Sequence, residues 1–149
     1  MARPNVIDTW EQLIRFHRAA TTAMDEHLRA RTGLSLDDYD VLHQINAHDG
    51  PIRMGELAER LLVANSSCNR VVGRLVDGGL VERRGDEGDG RVRLVDLTPT
   101  GKRVWRRMAA VHSRDIEALF GAPLTATQVG AVDAALQQLL GSMPADSST

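Results

Sequence analysis

One cysteine, Cys68, stands in 149 residues, so no disulfide within the chain can staple the fold. A reducing cytoplasm is the natural home of such a chain. No apolar run approaches the roughly 20 residues that a membrane-spanning helix needs. The opening residues, MARPNVIDTWEQL, carry no apolar signal-peptide core. No G-x-S-x-G elbow, phosphate-binding glycine loop or H-E-x-x-H helix is present, so no enzymatic activity is expected. The five histidines, His17, His27, His43, His48 and His112, fall at no ligand spacing and predict neither a metal nor another cofactor. The 86–90 run has too few oxygen ligands for a calcium loop. A net charge of −2 argues against a surface that is basic all round.

What is present is an ordinary globular composition, 42% apolar and 26% charged, in a length that builds one modest core. The charge is unevenly placed. Between Arg70 and Arg107 ten bases face six acids, while Asp37, Asp38 and Asp40 gather elsewhere. A local basic footprint of this kind suits nucleic acid.

Apolar spacing predicts a first helix over 6–31, with Trp10, Leu13, Ile14, His17, Ala20, Met24 and Leu28 in one stripe and Gly33 as its stop. Ser35 and Asp38 form a capping box for a second helix, with Tyr39, Leu42 and Ile45 inward and Gly50-Pro51 at its end. A third helix is expected over 54–62, packing through Leu57, Ala58 and Leu61. After a turn near Val63-Ala64, a fourth runs to about residue 77 and closes on Gly78-Gly79. Strands are expected at 80–84 and 91–97, joined by a six-residue tip over 85–90. Thr98-Pro99 opens a fifth helix to about 120, carrying Val104, Met108, Val111, His112, Ile116 and Leu119. Thr125 and Gln128 cap a sixth, with Val129, Val132, Leu136 and Leu139 on one stripe.

This order is mainly α with a small β-hairpin wing: a winged helix-turn-helix core flanked by terminal helices. The reader segment of about 65 residues cannot cover three terminal stripes, so a second copy of the chain is the simplest cover. On the fourth helix Cys68, Val71, Val72 and Leu75 share the core face. The opposite side presents Ser66, Asn69, Arg70, Gly73 and Arg74, with Ser67 near the start. Amides, guanidiniums and hydroxyls are the groups that read base edges and phosphates, and Gly73 allows a close backbone approach. In the wing, Arg91 and Arg93 are the candidate contacts. Asp89, two residues before Arg91, is placed to orient that guanidinium toward a minor groove.

These residues carry a resemblance. Glu56-Leu57-Ala58, Arg70, Arg74 and Leu75, then Gly79-Leu80-Val81-Glu82-Arg83-Arg84, Asp89-x-Arg91 and Leu97-Thr98-x-x-Gly101 resemble the MarR family of multiple-antibiotic-resistance regulators. Tyr39-Asp40-Val41-Leu42 is similar to that family's second helix. The resemblance covers nearly the whole chain. It implies a single unit over 1–141, with the winged helix-turn-helix at 35–98, dimerisation helices at 5–31 and 99–141, and a disordered tail at 142–149. It further implies a homodimer on a palindromic double-stranded DNA operator, more often a repressor, released by a small aromatic or phenolic effector. Ala64 departs from the family's capping serine, so Asn65 or Ser66 is expected to cap the fourth helix.

For the effector, Trp10, His17, Tyr39, His43 and His112 are candidate lining residues, amphipathic groups on apolar stripes. Two other readings stand beside this one. The first is redox sensing through Cys68, although its place on the core face suits a small buried hydrophobe better. The second is a winged-helix protein-interaction module without DNA binding, which has no need of bases on both the fourth helix and the wing.

Overall fold

Asn5 accepts the Ile7 N–H through its side chain and starts helix α1, Val6–Thr32; Gly33, at φ 76°, ends it with its N–H on the Arg29 carbonyl. A computed structural model describes residues 4–86 and 88–144, with the side chains of Asp86 and Asp89 outside the description. The further elements are α2 Leu36–Ala47, β1 Ile52–Arg53, α3 Met54–Leu61, α4 Asn65–Asp77, β2 Val81–Asp86, β3 Asp89–Leu97, α5 Pro99–Ile116, a π-helical turn Glu117–Gly121 and α6 Ala126–Ser142. The chain divides into two compact units, Met1–His112 and Ser113–Thr149.

In the first unit the expected capping box is present. The Asp38 N–H donates to Ser35 Oγ at 3.1 Å and the Ser35 N–H donates to Asp38 Oδ2 at 2.9 Å. Helix α2 stops sooner than Gly50-Pro51 suggested: His48 is its cap, in extended conformation, and Gly50, at φ 85°, shapes the turn that follows. The core gathers Leu28 of α1, Leu42 and Ile45 of α2, Leu57 of α3, Val72 and Leu75 of α4, Val95 of β3 and Met108 of α5. The inward faces expected for α2 and α4 are buried as read, and on α3 Leu57 and Ala58 are buried with Leu61 half-buried. The stripe on α1 is different: Ala20, Met24 and Leu28 are buried, whereas Trp10 and Leu13 are exposed.

The sheet has three antiparallel strands in the order β1-β3-β2, one more than the expected hairpin. Ile52 pairs with Val95 and Arg53 with Leu94, so the short segment before α3 ties the wing to the core. The six-residue tip is a correction. Pairing continues through Gly85↔Arg93 and Asp86↔Asp89, so strand residues take up much of the expected tip. The register shifts between Gly85 and Asp86, so Arg91 stands in an irregular part of β3. Such bulges bend a strand and re-aim its side chains.

The junction from wing to α5 is a backbone lock. Thr98 donates its hydroxyl to the Gly79 carbonyl at 2.7 Å and accepts the Gly101 N–H at 2.9 Å. A Cβ on Gly101 would stand 1.9 Å from the Leu80 carbonyl oxygen, so only glycine fits. This contact gives the Leu97-Thr98-x-x-Gly101 pattern its physical reason.

The helix expected to continue to 120 is α-helical to Ile116 and π-helical from Glu117, where the Ala122 N–H reaches the Glu117 carbonyl at 2.7 Å. In the second unit the Thr125–Gln128 capping box opens α6 as expected. None of the α6 residues is buried, and Leu139, Leu140 and Met143 are exposed. Of the tail expected at 142–149, Ser142 closes α6 and residues 145–149 lie outside the described residues.

Candidate nucleic-acid interface

Helices α3 and α4 are joined by a turn in which Leu62 takes a left-handed conformation, φ 55°. That geometry disfavours a side chain bearing a Cβ, and Leu62 is 85% exposed there. Helix α4 then begins without a side-chain cap. Ala64 is the N-cap, in extended conformation, and its carbonyl accepts the Cys68 N–H at 3.1 Å. The expected cap by Asn65 or Ser66 is overturned, because both residues already belong to the first helical turn. A helix start of this kind leaves N–H groups for an outside acceptor.

At about 3.6 residues per turn, Ser66, Arg70, Gly73 and Asp77 fall opposite the buried stripe of Cys68, Val71, Val72 and Leu75, with Asn69 to one side. Ser66, Asn69, Arg70 and Arg74 are exposed and Ser67 is half-buried. Their commitments differ. Asn69 folds back, donating from Nδ2 to the Asn65 carbonyl at 2.9 Å. Arg74 donates to Asp38 Oδ1 at 2.9 Å, so it braces α4 against the capping box of α2. Arg70 makes no ion pair among the described residues, so no carboxylate neutralises its charge on this face.

The strands add exposed cations of their own. Arg91 and Arg93 are exposed and, with Arg53 of β1, border a groove against the start of α3. The Asp89 side chain, cast as the support of Arg91, lies outside the described residues. Arg84 pairs with Glu82 along its own strand. In sequence Arg83 stands only as part of the wing pattern. Its guanidinium lies 3.9 Å from where a Cβ on Gly73 would stand, so β2 delivers a positive charge to the outward face of α4. Sequence spacing does not reveal this approach, which depends on how β2 crosses the helix.

A family model described as the MarR family matches residues 32–92. An uncharacterised HTH-type transcriptional regulator of Bacillus cereus is 31% identical over 107 residues, 70% of this chain and 69% of that protein. The chain belongs to the MarR family. It is thus a transcriptional regulator of helix-turn-helix type. A second relative, the transcriptional activatory protein BadR of Rhodopseudomonas palustris, is 29% identical over 126 residues, 83% of this chain and 67% of BadR. The fold matches that of Sco3205, a MarR-family transcriptional regulator from Streptomyces coelicolor solved in complex with DNA. The TM-score is 0.88 at 23% identity, covering 99% of this chain and 97% of that one.

Of the residues expected to line an effector site in this MarR-family chain, three come together. Tyr39 stacks on His43 with ring centroids 5.5 Å apart and meets His112 at 4.5 Å. Trp105, absent from the expected set, completes the group at 6.3 Å from His43. It stands seven residues before His112 on α5, hence on the same helical face, a spacing that could have found it. The Trp105 indole nitrogen is buried and finds no acceptor among the described residues. Burial pushes the Tyr39 phenol above its ordinary pKa, with the Asp40 carboxylate adding to the rise. Trp10 and His17 do not join the group: both are exposed on α1, and Trp10 borders an open groove with Ile14 and Arg18.

Cys68 is 1% exposed, and burial pushes its thiol up. A protonated, enclosed thiol is a poor nucleophile, which speaks against the redox reading. Among the described residues no group of His, Cys, Asp or Glu is disposed to hold a metal ion, and no helix is long and apolar enough to cross a membrane.

Proposed function

We propose that this MarR-family regulator works in the cytoplasm as a homodimer that represses by occupying a palindromic operator and leaves it on binding a small aromatic or phenolic effector. One observation carries the reading: α4 turns Ser66, Asn69 and Arg70 outward from an uncapped N-terminus, and Arg91 and Arg93 stand exposed on an irregular strand that borders the start of α3. Helix α4 suits a major groove, where hydroxyl, amide and guanidinium groups match base edges. The wing arginines suit the neighbouring minor groove, where the negative potential is deepest. A protein-interaction module gains nothing from Arg70 and Arg83, which make no ion pair among the described residues.

Self-association is supported by apolar side chains turned to water. In the first unit Val6, Ile7 and Trp10 are 79%, 66% and 62% exposed, and in the second Leu140 and Met143 are 73% and 68% exposed. Exposed apolar stripes on helices mark contact with another chain. Two coupled readers also multiply a weak affinity for a single half-site. The effector part rests on the Tyr39, His43, Trp105 and His112 rings, which offer stacking faces, and on the buried Trp105 N–H, which an anionic or phenolic oxygen would satisfy. Activation is the second reading, favoured by the likeness to BadR, a transcriptional activatory protein.

Footprinting on the duplex upstream of the chain's own coding region tests the proposal. Protection of two half-sites about 10 bp apart, centre to centre, is expected. Protection of a single half-site, or none, removes the dimeric reader. Arg91→Ala is expected to weaken operator binding by about 1–3 kcal/mol at fixed salt. An unchanged affinity takes Arg91 out of the interface. A reporter fused to the same promoter separates repression from activation in a strain without the regulator.

A further inference from the structure

Two helical glycines of the first unit pose opposite problems. At Gly101 the fold itself forbids a Cβ, which would collide with the Leu80 carbonyl. At Gly73 nothing inside the molecule forbids one: a methyl there would meet only the tip of Arg83, at an ordinary 3.9 Å. Glycine within a helix is less stable than alanine at the same place, so α4 carries a weakness that its own packing does not require. Open space alone does not single out Gly73, since Gly55, Gly130 and Gly141 have it too. Its surroundings do. Gly73 sits on the outward row with Ser66 and Arg70, in the middle of a 13-residue helix, and a guanidinium from another element borders the gap.

We infer that Gly73 and Arg83 form one DNA-contacting notch. The missing side chain lets α4 settle deeper against the duplex, and Arg83, reaching along the same face, takes a backbone phosphate at the edge of the groove. The inference rests on the DNA-binding reading proposed above and adds two residues to it. Phosphate is the fitting acceptor because Arg83 is exposed and makes no ion pair among the described residues. A guanidinium without a carboxylate partner keeps its full charge for a polyanion.

The test compares the full-length chain with Gly73→Ala and Arg83→Ala in thermal melts and in titrations of labelled operator over a range of salt. Gly73→Ala is expected to raise Tm by about 4 °C while weakening operator binding about tenfold or more. A higher Tm with unchanged affinity overturns the notch, and a lower Tm shows that Gly73 serves the fold. Arg83→Ala is expected to keep Tm and to reduce the steepness of log K against log salt by about one counterion. An unchanged slope removes Arg83 from the contact. If the unaltered chain ignores the operator, the DNA-binding reading itself fails. If it binds and both variants bind equally well, only the notch fails.

Discussion

On α4 all four residues of the apolar stripe, Cys68, Val71, Val72 and Leu75, are buried; on α1 the same kind of stripe is buried at Ala20, Met24 and Leu28 but left 62% and 42% exposed at Trp10 and Leu13. Both patterns obey the same helical period. The difference lies in what closes over them. Around α4 the chain supplies α2, α3 and the sheet, so its outward face is free to be polar and to serve a partner of opposite charge. The first turns of α1 have no such cover within their own unit, and their outward face is apolar. A period reports that a face will be buried; it does not say by which chain. The α4 stripe is thus covered within its own unit, whereas the first half of α1 is not.

That contrast can be broken at four places. The largest effect is expected at the lock that completes the reader. Gly101→Ala forces a Cβ against the Leu80 carbonyl and should destabilise the fold by about 3 kcal/mol or more in a denaturant melt. A near-normal melt would mean that the wing is not held at Thr98. Next comes the uncovered apolar surface. Trp10→Ala should weaken self-association by about 2 kcal/mol or more in sedimentation, with little change in the α-helical signal. Unchanged sedimentation would take Trp10 out of the proposed self-association.

A smaller effect is expected between α2 and α4. Asp38→Ala removes the acceptor of both Ser35 N–H and Arg74 and should cost about 2 kcal/mol. Arg74→Ala should cost less, because that side chain is half exposed and its pairing is screened by water. If the two variants melt alike, the capping box is not the important half of the pair. The smallest effect belongs to the turn. Leu62→Gly should gain roughly 0.5–1 kcal/mol by relieving a left-handed leucine. A loss of stability there would point to a contact made by the exposed Leu62 side chain.

Much of the fold was legible because it is local. The Ser35 and Thr125 boxes, the Gly33 stop and the core face of α4 are each written within a few residues of one another. What escaped is non-local. Strand β1 is two residues long, too short to show alternation, and exists only because it meets Val95 and Leu94 far along the chain. Arg74 reads as a free base in sequence, yet its partner lies 36 residues away. The wing tip is shorter than its Gly-rich and acidic composition suggested, because Gly85 and Asp86 continue the pairing. For the effector group, amphipathic character marked Tyr39, His43 and His112 but could not exclude Trp10 and His17, which lie exposed on α1, whereas the rings that meet belong to α2 and α5.

The outward face of α4 is expected to discriminate one DNA sequence from another. The most direct measurement is a parallel titration of the operator and a scrambled duplex of equal length, at one salt concentration, with the unaltered chain and with Arg70→Ala. The unaltered chain is expected to prefer the operator by about a thousandfold or more. Arg70→Ala is expected to give up about 1–3 kcal/mol of that preference while still binding the scrambled duplex. Equal affinity of the unaltered chain for both duplexes would contradict this discrimination.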